Sequence, residues 1–555
     1  MKKKIVSLML IAIMVLSTLA GCGDQNKETT AAPTDKGTEA PGTEAPGTEA
    51  PTDAPTDAPT DAPKVEVTYP LEEKVKLTIA LPTNANVTAI CASHGDTPFF
   101  KELQKRTGVE LEFVEVKSTD MNLLFAEEKL PDIVFAYNMA TMYPGGLATA
   151  LEDKVIIPIT EYLDECAPDY KAVLEAKPVE SRVAYVGDEV VAFANYNADE
   201  YNVSYGMVMR QDWLNDLGLK APTNADELYT VLKAFKEKKG ATYPLSPWST
   251  YVVSSGLGAG MITSSFDLVN MNFYLKDGKI EAGFIQDGAR EFLTYLNKLY
   301  KEELLDPNFS ANDNKMQMAN LTSGVSGMAV LKISSGLTPV LTSMESDPNF
   351  KLVGLEPFKT PSGDIAYSAP QDAPSTAAAY VTADCDNIEA AVKFLNYGYT
   401  EAGKLFYNFG IEGESYEMVN GVPQYKDTIF KNPNMSSTQA MWQYTRALVG
   451  TPKIQMNEYM TAYNPGETQA QALSAWAKAN SADHYIPTLV MTGDMATEYT
   501  NLLADLNSYK NTMCTKFING TESLDKWDAF VAQCKELGVD RVVEIQQYFY
   551  DQQYK

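Results

Sequence analysis

The residue whose setting specifies a chemistry most directly is Cys22. It closes Leu19-Ala20-Gly21-Cys22, a run with the form of a bacterial lipobox, in which the chain is cut before the cysteine and the new N-terminus takes lipid. The residues ahead of it suit export: Lys2, Lys3 and Lys4 give a positive start, and Ile5 to Leu16 is almost wholly apolar. A bilayer core needs about 20 helical residues, so this run is short for a permanent span. An ordinary secretory signal with an incidental cysteine is the plainer alternative. Each buried methylene of an attached lipid contributes about 0.8 kcal/mol of membrane affinity, and two or more acyl chains hold a protein where one does not. Residues 1–21 are therefore read as a lipoprotein signal peptide and Cys22 as the lipidation site.

Other nucleophilic and metal chemistry is poorly supplied. The two histidines, His94 and His484, are far apart and lack the His-Glu-x-x-His spacing of a zinc site; a histidine-based triad is no better served. No Gly-x-Ser-x-Gly occurs, and the pairs Gly278-Lys279 and Gly403-Lys404 lack the Ser or Thr that follows in a phosphate-binding loop. His94, beside a predicted helix start, reads as a polar surface residue. After Cys22 an odd set of cysteines remains, Cys91, Cys166, Cys385, Cys514 and Cys534, with no Cys-x-x-Cys. They read as buried small apolar residues, one Cys514 to Cys534 bridge being the alternative. No metal or cofactor is expected.

The elements that must carry any site begin beyond a spacer. Three copies of Gly-Thr-Glu-Ala-Pro (Gly37 to Pro51) and three of Thr-Asp-Ala-Pro (Thr52 to Pro63) hold almost nothing that could build a core. Regular proline favours polyproline II and the acids repel one another, so residues 22–64 read as a disordered, semi-rigid stalk. At about 3.1 Å per residue it could reach somewhat beyond about 100 Å. Residues 65–555 exceed what one core usually holds, and 45% apolar composition supplies enough to fill two. A formal charge of −28 repels phosphate backbones and excludes nucleic acid as a partner.

Within that body Val75 to Leu81 is a β-rich run, Thr97 to Arg106 a predicted helix, and Val109 to Val116 alternates apolar and acidic residues. Ile133 to Tyr137 follows Pro131-Asp132 as a short apolar strand. Strand, helix, strand, helix, strand at this spacing predicts an α/β unit with a mainly parallel sheet. Ligands of such sheets bind beyond the carboxyl ends of the strands. Here those ends carry Asn84 and Asn86, ligand-contacting or turn-forming, and Tyr137-Asn138. Thr223 is the expected cap of a helix bearing Leu228, Val231 and Phe235. Near the end, Phe530, Cys534 and Leu537 line a helical face up to Gly538, and Asp540 restarts a helix with Val542, Ile545 and Phe549 inward. The C-terminal half reads as helix-rich.

The segments "PDIVFAYN", "RQDWLNDLGLKAPTNADELYTVLKAFKEK", "EAAVKFLNYGYTEAGKLFYNFGIEGESYEMVNG" and "KFINGTESLDKWDAFVAQCKELGVDRVVEIQQ" resemble the extracellular solute-binding proteins, family 1, of ABC transporters. The likeness runs from about residue 75 to the C-terminus and is nearest to the long oligosaccharide-binding lipoproteins that include alginate-binding proteins; the maltose-binding protein is a more distant likeness. The resemblance implies a two-lobed, type II periplasmic-binding-protein fold, α/β with mainly parallel sheets and flanking helices. Lobe 1 is expected over about 65–190 plus 370–420, and lobe 2 over about 195–365 plus 425–555, with several crossings. Long members carry an acidic calcium loop after the "LKAFKEK" helix, but here Lys238-Lys239-Gly240 runs straight into Ala241-Thr242-Tyr243-Pro244-Leu245, so no calcium is expected there.

Sugar recognition needs flat rings under C–H faces and planar amides or carboxylates for hydroxyls. The resemblance puts Tyr137-Asn138 at a ligand-contacting position, with packing as the alternative, and Tyr196 at a lobe crossing. It puts Trp248 where the maltose relative has an aromatic platform, Pro247 making a packed loop tryptophan the other reading. Asp372 is a further candidate, and Trp442 has helical neighbours that favour a core role over stacking. Lys332 stands where the maltose relative has a second aromatic, so that platform does not transfer. The implied function is that of a non-enzymatic, monomeric substrate-binding lipoprotein. It would capture an oligosaccharide outside the cytoplasmic membrane and deliver it to permease subunits, ATP hydrolysis falling to another subunit. A surface glycoside hydrolase is the rival, although 73 acidic residues single out no carboxyl pair. A peptide binder or sensor of the same fold is the third reading. Fatty-acid labelling of cells expressing the full chain is expected to mark the protein and to be abolished by Cys22→Ser; persistent labelling of that variant rejects the lipobox.

Overall fold

The computed structural model describes residues 65–135, 143–198, 203–363, 373 and 375–555. Strand β1 (Val75–Pro82) buries Leu77 and Ile79 along one face, as its alternation requires. Helix α1 (Pro98–Thr107) starts where Thr97 Oγ1 accepts the Phe100 N–H and proline occupies the first turn. It ends at Gly108, whose φ of 77° and closeness to the Leu71 backbone leave no room for a Cβ. β2 (Val109–Val116) then pairs parallel with β1 from Val75↔Val109 to Pro82↔Val116, and β3 (Ile133–Phe135) lies parallel on the other side of β1. The expected second helix is instead a 3-10 run over Ser118–Ala126. Its Ser-Thr-Asp start binds itself locally, Thr119 Oγ1 donating to Asp120, which competes with an α-helix.

The chain completes a six-stranded sheet from far downstream. With β4 (Phe193–Tyr196), β8 (Ser375–Val381) and β9 (Lys453–Ile454), the order is β9-β4-β8-β3-β1-β2. β9 and β4 are parallel, whereas β8 runs antiparallel to both β3 and β4. A second sheet, β6-β5-β7, is built from β5 (Tyr205–Arg210), β6 (Met328–Lys332) and β7 (Leu352–Gly354) and is antiparallel throughout. The large sheet is therefore mainly parallel and the small one is not. The chain leaves the first sheet between β4 and β5 and returns between β7 and β8, giving two lobes with separate cores. The first lobe's core gathers Ile79, Phe99, Ile133, Phe193 and Tyr380; the second lobe's core gathers Met209, Leu232, Phe292, Leu506 and Phe530; a third buried cluster, with Val208, Leu331, Leu352, Met441 and Trp476, fills the other face of the small sheet.

Helix α2 (Ala225–Lys239) buries Leu228, Val231 and Phe235 as its spacing predicts. Its cap is Asn224 rather than Thr223: Asn224 Oδ1 accepts the Glu227 N–H at 2.9 Å, and Thr223 instead donates its N–H and hydroxyl to the Glu227 carboxylate. The shift by one follows from Glu227, which stands three residues after Asn224 and reaches back to the chain before it. Helix α3 (Ser437–Tyr444) opens with a Ser436/Gln439 capping box. Three C-terminal helices, α4 (Gly493–Asn519), α5 (Trp527–Glu536) and α6 (Val539–Tyr554), cover the second core. Gly538, at φ 91°, ends α5 and starts α6, which buries Val542, Ile545 and Phe549. Cys166, Cys385, Cys514 and Cys534 are buried free thiols and Cys91 is partly buried. Burial pushes the Cys514 and Cys534 thiols up to about 12.

Lys453 in β9 is 1% exposed, and its Nζ donates to Asn195 Oδ1 at 2.6 Å and to the Val449 carbonyl at 2.7 Å. Burial, and then the charge of Arg446, lowers its pKa to about 7. A depressed lysine binds its proton more readily in the unfolded chain, so between pH 7 and the ordinary lysine value this group makes stability rise with pH. Lys453→Met removes that slope. Chemical denaturation is expected to show the variant gaining on the parent by on the order of 1 kcal/mol per pH unit as pH falls from about 9 to 7; a pH-independent difference contradicts the burial argument.

Candidate binding cleft

Two cavities are candidates for a binding site. The smaller, about 80 Å³, opens at the carboxyl ends of β1 and β3 and is lined by Pro82, Thr83, Asn84, His94, Phe135, Trp442 and Arg446, among others. The strand termini position the first residues, and α3 returns from far along the chain to bring Trp442. Asn84 and Trp442 thus meet in one pocket. Asn84 also caps the short helix Ala85–Thr88, its Oδ1 accepting the Asn86 N–H at 2.8 Å, so a structural use accompanies whatever its amide offers a ligand.

His94 is not on the surface. It is 1% exposed, with its ring edge-on to Phe100 at 6.1 Å and to Trp442 at 6.3 Å. Ser93 caps the turn His94–Asp96 and folds the imidazole inward, where Nδ1 lies 3.0 Å from Glu115 Oε2 and the His94 backbone N–H donates to the same carboxylate. Burial first, and then Arg446, lowers its pKa to about 4 against the pull of Glu115, leaving a neutral ring at physiological pH. The sequence does not show this because the partners come from elsewhere: Glu115 from β2, Trp442 from α3 and Arg446 from the loop just beyond it. Arg446 is also buried: its guanidinium lies 4.6 Å from the Phe99 ring centre and 4.4 Å from that of Phe100, while Nη1 donates to the Trp442 and Thr445 carbonyls.

The larger cavity, about 840 Å³, lies between elements of the two cores. On one side stand Tyr143, Val183, Tyr380 and the start of β8, Ser375-Thr376-Ala377; on the other stand the segment Ile486 to Met491, Tyr499 and Asn501 of α4, and Gln546 of α6. The C-terminal helix fixes this second wall. Gln553 accepts the Val490 N–H at 3.0 Å and donates to the Val490 carbonyl at 2.8 Å, and the Tyr554 hydroxyl donates to the Thr488 carbonyl at 2.7 Å. Nothing in "YIPTLVMT" announces a cleft wall, since its apolar residues carry no clear period and its anchors lie some sixty residues on.

The remaining candidates fall elsewhere. Tyr196 is 1% exposed in the first core, its hydroxyl 2.7 Å from Ser181 Oγ and its ring edge-on to Tyr399; burial raises its pKa. Trp248 lines neither of these two cavities. It is half-buried at the start of a turn of the second lobe, its N–H donating to Gln317, with its ring edge-on to Tyr251 at 5.1 Å. Tyr251 stacks in turn on Tyr205 at the start of β5, and Lys332 Nζ lies 5.9 Å over Tyr205, so the aromatic row ends where the chain enters the second sheet. Tyr137, Asn138, Asp372 and Cys22 lie outside the described residues.

Two α/β lobes exchanging strands around a cleft define a type II solute-binding receptor fold. The family model for bacterial extracellular solute-binding protein matches residues 93–405, and the chain belongs to that family. Among curated relatives, the lipoprotein LipO of Bacillus subtilis is 23% identical over 354 residues, 59% of this chain and 65% of that protein. The fructooligosaccharide ABC transporter substrate-binding protein FusA of Streptococcus pneumoniae is 20% identical over 511 residues, 88% of this chain and 92% of that protein. Among solved structures, the alginate-binding protein AlgQ2 without calcium ion superposes with a TM-score of 0.69 at 21% identity, covering 88% of this chain and 100% of that one. FusA in complex with kestose superposes with a TM-score of 0.68 at 18% identity, covering 86% and 99%.

These placements separate two substitutions. Trp442→Ala, removing a ring from the small pocket, is expected to weaken ligand binding about fivefold, in line with an aromatic contact of about 1 kcal/mol. Tyr196→Phe is expected to lower stability by about 1 kcal/mol through the lost Ser181 hydrogen bond while leaving affinity unchanged. Calorimetric titration and thermal melting of both variants check the pair, and a reversed pattern contradicts the placement.

Proposed function

We propose that this chain is the substrate-binding component of an ABC importer. It captures an oligosaccharide between its lobes and delivers it to membrane permeases. The observation that carries the reading is the cavity of about 840 Å³ between the two cores, walled by aromatic rings, hydroxyls and amides. That is the volume and chemistry a short sugar chain needs, with rings for its C–H faces and planar amides for its hydroxyls. Relatives named for fructooligosaccharide and alginate binding support the ligand class. In this reading the body divides into lobes at about 65–190 with 370–420 and about 195–365 with 425–555, except that β9 returns to the first sheet. The ligand draws the lobes together through its greater affinity for the closed form.

The same reading holds the protein outside the cytoplasmic membrane, as a monomer on lipid at Cys22, with the 22–64 stalk allowing it to turn between capture and docking. The lipoprotein relative supports this, and no helix among the described residues is long and apolar enough to cross a membrane. Tyr137, Asn138, Asp372 and Trp248 remain proposed ligand contacts beside Asn84, Asn86 and Trp442. The chain binds without cutting. Titration calorimetry against a panel of oligosaccharides, with the incubated sugars chromatographed afterwards, is expected to give saturable heat with at least one sugar and no new reducing ends. Released fragments would favour the hydrolase reading, and binding of peptides in place of sugars would favour the third.

A further inference from the structure

Charge is common in this protein, 21% of residues being Asp, Glu, Lys or Arg. The described lining of the large cavity is different. Among the described residues that line it, none carries a carboxylate, an amine, a guanidinium or an imidazole. The polar groups that do face it are neutral: Asn122, Thr376, Thr500, Asn501, and the pair Tyr499 and Gln546. That pair is organised. Gln546 is 6% exposed and its Nε2 donates to the Tyr499 hydroxyl at 3.1 Å, which leaves the phenolic proton to donate elsewhere.

We propose that the cleft selects an uncharged, hydroxyl-rich ligand, a neutral oligosaccharide rather than one built of uronic acids, with Tyr499 donating to one of its hydroxyl oxygens. This deepens the oligosaccharide-binding reading and rests on it. A carboxylate brought into this cavity would lose its water and find no cation among the described residues that line it, whereas each hydroxyl of a neutral sugar meets an amide, a hydroxyl or a phenol. The cation beside the lining is engaged: Arg182, next to Val183, lies 5.8 Å over the Tyr185 ring. Arg446 belongs to the small pocket, where it gives Nη1 to two backbone carbonyls between aromatic faces, and Lys453 is turned into the sheet toward Asn195 and Val449. The net charge of −28 adds a second, longer-ranged bias against anions.

Salt separates the two sources of discrimination, because a field from surface charge is screened and the cost of a dry, uncompensated carboxylate is not. The full mature chain is titrated calorimetrically with kestose, mannotriose and maltotriose and with trigalacturonate, in low salt and in about 0.5 M NaCl. The expected result is that a neutral trisaccharide binds, trigalacturonate binds at least about 100-fold more weakly, and the gap survives in high salt. Trigalacturonate binding as tightly as the neutral sugars, or a gap that closes in salt, overturns the proposal and leaves the importer reading standing. Binding of neither class overturns both.

Discussion

The arrangement depends on where β8 lies. This strand comes back from the second lobe and inserts antiparallel between β3 and β4, with Ala379 opposite Phe135 on one side and Phe193 on the other. Without it the first sheet would be two parallel fragments with open edges, each a row of unpaired backbone groups. The register slips between Ala377 and Ala379, and the residues before the slip, Ser375-Thr376-Ala377, both pair with β4 and line the large cavity. Ser375 is held further by a hydrogen bond from its hydroxyl to the Glu180 carbonyl. One strand thus closes a core, ties the lobes together and supplies a wall of the cleft. Its central residues cannot change without moving the wall.

The candidate binding surface is assembled from pieces distant in sequence, as the proposed closure on a ligand requires. The small pocket joins the ends of β1 and β3 to a helix that begins at Ser437. The large cavity sets β8 against a segment whose backbone is clasped by the last helix of the chain. Each lobe holds its own share on a rigid core, so a ligand touching both shares gains by drawing them together.

How much of this could be read beforehand depended on whether the signal was local. β1, α1 and β2 were legible nearly to the residue, because period-two alternation, Thr97 and Gly108 are signals carried by neighbours. The same holds for α2, apart from the one-residue shift that Glu227 imposes, and for the Gly538 break. Asn84 and Trp442 were named as candidates, but that they share a pocket was not legible, since the contact is tertiary. His94 departs from its sequence reading for the same reason: a lone histidine near a helix start looks exposed until Glu115 and Trp442 are brought to it. Tyr499 and Gln546 gave no signal at all, each being one polar residue on an amphipathic helix.

The central claim is that the two lobes close around a bound sugar. Spin labels on the exposed positions Val179, in the first lobe, and Met316, in the second, would report the distance between them by pulsed electron resonance. The account predicts that saturating the protein with the oligosaccharide that calorimetry identifies shortens and narrows the distance distribution. A distribution unchanged at saturation would mean that the halves do not move on binding, and would contradict it.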